Sequence, residues 1–150
     1  MTRLLRLSLL LGLVGVGIGA YLVWVHYDLD ALVCGLGDCE VVQASAYSEV
    51  FDIPIAIFGL LMYIALVGLT LARLLRPALL LPASMAALAI TGAGTLYSAW
   101  LTWIEIEVLE AICQWCVASA ITTTVMFVVE IVIFSRLWSG EDIEDLPTDA

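Results

Sequence analysis

The chain has no lysine, and only five arginines and one histidine stand against fifteen acids. At a formal net charge of −10 it lacks the basic clusters that neutralise phosphates, so nucleic acid is excluded as a partner. The same shortage excludes a polybasic anchor on anionic lipid. Charge of either sign is scarce, at 13% of residues. Soluble domains are about 45–50% apolar, whereas this chain is 63% hydrophobic with a mean hydropathy of +1.10. Internal repeats and low-complexity tracts are absent, and 150 residues leave no room for a second sizeable domain. The acids cluster in the loops and the tail, so the negative charge describes exposed surface.

What the chain does contain is long apolar runs. Crossing a bilayer takes about 20 apolar residues, and four stretches qualify, at 7–25, 53–75, 79–103 and 113–137. This predicts an all-α integral membrane protein, a four-transmembrane-helix bundle over residues 1–138 with an acidic, disordered tail over 139–150. The first run, preceded by Arg3 and Arg6, is longer than a signal-peptide core and has no clear small-x-small cleavage site, so it reads as a retained helix. Arg3 and Arg6, then Arg73 and Arg76, then Arg136 all fall on one side of a four-span topology. By the positive-inside rule that side is cytoplasmic, with both termini inside and the protein multi-pass in the plasma membrane, the inner membrane of a bacterium. Gly15 and Gly19 form a Gly-x-x-x-Gly, which predicts a close helix–helix contact. Trp24, Trp100, Trp103 and Trp115 fall near the outer boundary and Trp138 near the inner one, where aromatic belts occur.

Two segments face outward, at about 26–52 and 104–112. The first carries Cys34 and Cys39, and the second leads through Glu105, Glu107 and Glu110 into Cys113. Cys113-Gln114-Trp115-Cys116 is a C-x-x-C, which on a helix puts both sulfurs on one face. A helix N-terminus favours a thiolate, the attacking species in disulfide exchange. Inert buried thiols and a four-sulfur zinc site are the other readings of these residues. The loop pair, Cys34-Gly35-Leu36-Gly37-Asp38-Cys39, has two glycines that free the chain to bring its sulfurs together. A static loop staple in an oxidising compartment is the alternative there. Two pairs at one membrane face make the minimum apparatus for a relay through mixed disulfides. A pair at the apolar end of a bundle suits a lipid-soluble quinone better than a nicotinamide. Glu130 is an acid inside the fourth span; a proton role and a reach out to nearby water are both open. His26, at the outer end of the first span, has an interfacial or a proton-transfer reading.

The elements Cys34…Cys39, Val42-Gln43-Ala44-Ser45-Ala46-Tyr47, Ile53-Pro54 with Phe58-Gly59 and Tyr63, and Cys113-Gln114-Trp115-Cys116 with Ala118-Ser119-Ala120 together resemble the vitamin K epoxide reductase family, in its prokaryotic, quinone-reducing branch. The resemblance implies that Cys116 reduces the quinone, Cys113 exchanges with the loop, Cys39 attacks Cys113, and Cys34 meets a thioredoxin-like partner. It also implies that Ser45 lies near the active pair, that Phe58, Trp115 and Ala120 join Cys116 and Ser45 in holding the quinone, and that a short half-helix over 46–51 covers the site. No metal site is implied.

The chain departs from the vertebrate pattern twice. It has Ile53-Pro54-Ile55-Ala56-Ile57 where those members carry an asparagine, and Ala120 where they carry a tyrosine. Both vertebrate residues help hold the vitamin K head group, so the departures favour plain quinone reduction over epoxide reduction. The expected function is a membrane thiol–disulfide oxidoreductase that oxidises a separate periplasmic or extracellular thioredoxin-like protein. It would pass two electrons to a quinone of the menaquinone, ubiquinone or phylloquinone type. A vitamin K reductase proper is the alternative, as is a non-enzymatic membrane subunit with structural disulfides. The unrelated four-helix disulfide-forming membrane protein of bacteria has its C-x-x-C in the first outer segment, the reverse of the order here.

Overall fold

The computed structural model describes residues 1–140. Among these residues four helices are long and apolar enough to cross a membrane: α1 (Thr2–Tyr27), α3 (Ile55–Leu75), α4 (Leu80–Glu107) and α5 (Gln114–Ser139). A short helix, α2 (Cys39–Gln43), lies in the segment between α1 and α3. The long helices form a ring in which α1 packs on α3 and α5, and α4 packs on the same two. The expected four-helix membrane bundle is therefore what the chain forms.

Chain chemistry accounts for the helix ends. α3 stops before Arg76, whose extended conformation is the one a following proline, Pro77, imposes. α5 stops at Gly140, which takes the left-handed conformation at φ 73°. The third span was expected to end at 103 but runs on to Glu107. Glu105 and Glu107 thus belong to the helix and not to a connecting loop. The tail expected over 139–150 lies, beyond Gly140, outside the described residues.

The bundle turns large apolar side chains outward and buries a set of polar ones among its apolar core. Leu10, Leu13, Leu61, Leu96, Ile121 and Val128 are exposed, while Ser8, Thr70, Ser84, Thr91 and Thr123 are buried. Thr70, Thr91 and Thr123 satisfy their hydroxyls on the carbonyl four residues earlier. Tyr63 sits fully buried and donates or accepts at Thr123 Oγ1 at 2.6 Å, tying α3 to α5. The Gly-x-x-x-Gly forms the close contact expected of it: Gly15 faces the Tyr63 ring and Gly19 the Leu60 backbone of α3.

Glu130 is neither an exposed acid nor alone. It is fully buried and accepts two hydrogen bonds from the Arg73 guanidinium, at 2.6 and 2.9 Å. Ser8 of α1 donates to it at 2.7 Å, and Arg73 also reaches Thr70 and Ser84, so the cluster joins all four helices. Arg73 was grouped with the cytoplasmic arginines. It lies within α3 and is neutralised there, leaving Arg3, Arg6, Arg76 and Arg136 exposed at that end.

The half-helix expected over 46–51 takes a different form. Helical structure falls earlier, in α2, followed by one 3₁₀ turn at Ala46–Ser48. A tight hairpin then pairs β1 (Glu49–Val50) with β2 (Ile53–Pro54). Its turn residues, Phe51 and Asp52, both have positive φ, at 54° and 60°, the twist a two-residue hairpin requires. His26 at the end of α1 holds this hairpin through Glu49 at 3.0 Å.

Candidate active site

All four cysteines meet at one end of the bundle. Cys39 and Cys113 are fully buried in one apolar cluster with Val42 and Ala111, and Cys34, Trp115 and Cys116 pack against it. Cys34 and Cys39 form a disulfide with Cα atoms 6.0 Å apart, while Cys113 and Cys116 are free thiols. Cys113 is the N-cap of α5 and Cys116 lies in its first turn. That position offers both sulfurs the unpaired N–H groups of a helix start.

The loop is seated on α5 by backbone and side-chain contacts. Gly37 and Cys113 form an antiparallel bridge, and the Asp38 N–H donates to Ile112 O at 2.9 Å. Gly37 has φ 89°, and any Cβ there would strike the Ile112 carbonyl, so only glycine fits. The Leu36 N–H donates to Gln114 Oε1 at 2.9 Å, and Gln114 Nε2 donates to Val33 O at 3.3 Å. Trp115 Nε1 also donates to Val33 O, at 2.8 Å, and its ring meets Tyr21 at 4.7 Å between centroids. The two middle residues of the C-x-x-C thus hold the loop that carries the other pair.

Glu105, at the end of α4, is 5% exposed. It accepts the Cys113 N–H on Oε2 at 3.0 Å. The Cys113 thiol is lowered to about 7. The main cause is the hydrogen bond from the Cys116 side chain, with the backbone N–H groups of Cys116 and Trp115 helping. Burial and the Glu105 charge oppose it.

Below the loop a cavity of about 150 Å³ opens between the helices. Leu22, Val42, Ile55, Met62 and Leu101 supply apolar walls, and Gln43, Ser45, Ser98, Thr102 and Glu105 supply polar groups. An apolar cleft with a few convergent polar groups is the usual form of a small-molecule site. Among the cysteines only Cys116 lines it.

Of the residues expected to hold a quinone, Cys116, Ser45 and Ala120 line the cavity. Ser45 Oγ also donates to Val42 O at 2.7 Å, so it closes a turn as well. Phe58 and Trp115 lie elsewhere. Phe58 is 49% exposed on α3, and Trp115 is turned to the loop. Sequence reasoning missed Glu105, because an acid just past an apolar run reads as solvated. Spacing was the available signal: Glu105 follows Leu101, Ser98 and Tyr97 by four, seven and eight residues on one helix face, and all four line the cavity.

Membrane-length helices, one pair of cysteines in a docked loop and a second pair beside an apolar cavity define a membrane thiol–disulfide oxidoreductase. The vitamin K epoxide reductase family model matches residues 6–131, and the chain belongs to that family. No curated protein sequence matches it.

Proposed function

We propose that this protein oxidises a separate thioredoxin-like protein on the extracytoplasmic side of the plasma membrane and passes the two electrons to a quinone. The observation that carries this reading is the order of the sulfurs. Cys34 is the partly exposed loop cysteine, Cys39 and Cys113 share one buried cluster, and Cys116 lines the cavity. The exposed arginines at the opposite end support the orientation.

The steps then balance. A reduced partner dithiol opens Cys34–Cys39 and leaves as a disulfide. Cys39 thiolate attacks Cys113 Sγ in a Cys113–Cys116 disulfide and frees Cys116. Cys34 then attacks Cys39, closing the loop disulfide and expelling Cys113 as a thiolate. A thiol that ionises at about 7 leaves readily. Both electrons now rest on Cys113 and Cys116, the covalent arrangement seen here. Bound in the cavity, a quinone supplies a two-electron, two-proton acceptor beside Cys116. Ala120 stands on the cavity wall where the vertebrate members carry a tyrosine, which favours a plain quinone over an epoxide.

The test is reconstitution in proteoliposomes with ubiquinone or menaquinone and a reduced thioredoxin-like protein. One partner disulfide should form for each quinone reduced, followed by ultraviolet absorbance. No quinone loss with any of these partners would overturn the reading.

A further inference from the structure

We propose that Glu105 is a catalytic proton carrier of this site, taking the thiol proton of Cys116 and delivering it into the cavity toward a carbonyl oxygen of the bound quinone. This rests on the quinone reading above. Three observations place the carboxyl for the task. It lines the same cavity as Cys116, it is 5% exposed, and it is the only carboxylate among the described residues lining that cavity. Capping the Cys113 N–H at 3.0 Å fixes its position. A carboxylate accepts more than one hydrogen bond, so that cap leaves room for a proton from Cys116.

The chemistry requires such a group. The pair starts as a Cys113 thiolate and a Cys116 thiol and ends as a disulfide, losing two electrons and one proton. Glu105 moves that proton, and water supplies the second proton of the hydroquinone. The other titratable groups facing Glu105 are Cys113 and Cys116, with Tyr47 and Tyr97 lining the same cavity.

E105Q separates the proton role from the capping role, because an amide oxygen still accepts the Cys113 N–H but carries no proton. In single turnovers with quinone, the Cys113/Cys116 dithiol of E105Q should oxidise roughly 10²-fold more slowly than wild type, with an unchanged melting temperature. A second readout uses no quinone: the infrared difference between the dithiol and a chemically formed disulfide should contain a carboxyl band in wild type that E105Q lacks. Wild-type oxidation rates in E105Q overturn the proposal. So does a wild-type spectrum with no carboxyl change, a result that does not depend on the variant folding. If wild type itself gives no quinone oxidation, the quinone reading falls and the proposal with it.

Discussion

Gln114 accepts the backbone N–H of Leu36 on Oε1 at 2.9 Å and returns a hydrogen bond to Val33 O. The residue after the first active cysteine therefore holds the loop beside Cys34. Each such hydrogen bond contributes about 1 kcal/mol, somewhat less at an exposed site. In a C34A/C116A background, where Cys39 and Cys113 are left to pair, Q114A should lower the yield of their disulfide roughly tenfold. Non-reducing electrophoresis with mass spectrometry reads it. An unchanged yield would show that the loop docks without Gln114.

The Cys113 thiol, lowered to about 7, sets a pH dependence. Below pH 7 the reduced pair holds two protons; above it, Cys113 is a thiolate and the pair holds one. The midpoint potential of Cys113/Cys116 should therefore fall with pH half as steeply above pH 7 as below it. Redox titration in glutathione buffers at several pH values checks this. A single slope up to pH 9 would mean that Cys113 ionises as an ordinary thiol.

The Arg73–Glu130 pair is fully buried, and removing one partner strands the other charge among four helices. R73M or E130L alone should destabilise the bundle by about 3–5 kcal/mol. R73M/E130L together should recover much of that loss, since an apolar pair of similar volume avoids the desolvation cost. Thermal unfolding in detergent separates the cases. A double variant as unstable as the sum of the singles would contradict it.

A methyl group at Gly15 would clash with the edge of the Tyr63 ring, while Gly17 meets nothing within 4 Å. G15A should therefore cost about 1–3 kcal/mol by overpacking and G17A almost nothing. Equal melting temperatures for the two variants would deny the close α1–α3 contact.

The spans were legible because apolar length alone identifies them, and the cysteine pairs because their spacing is local. Arg73 and Glu130 were visible only singly. Fifty-seven residues separate them, and nothing local marks a long-range ion pair, so one reads as a topology signal and the other as an isolated acid. α4 ran past its expected end because Ile104 and Glu105 are buried against the cysteine site, and tertiary contact extends a helix that composition would stop. Placing the cover helix over 46–51 failed for the converse reason. The segment folds back as a hairpin held by His26 and Glu49, a contact formed across twenty-three residues.

The proposed relay would make Cys113 the obligatory link between the loop pair and the cavity. Wild type and C113A, each fully reduced and reconstituted with quinone, can be sampled over time by differential alkylation and mass spectrometry of all remaining cysteines. In wild type, Cys34–Cys39 should become a disulfide as quinone is consumed. In C113A, Cys34 and Cys39 should stay reduced. Oxidation of the loop pair in C113A at the wild-type rate would contradict the relay.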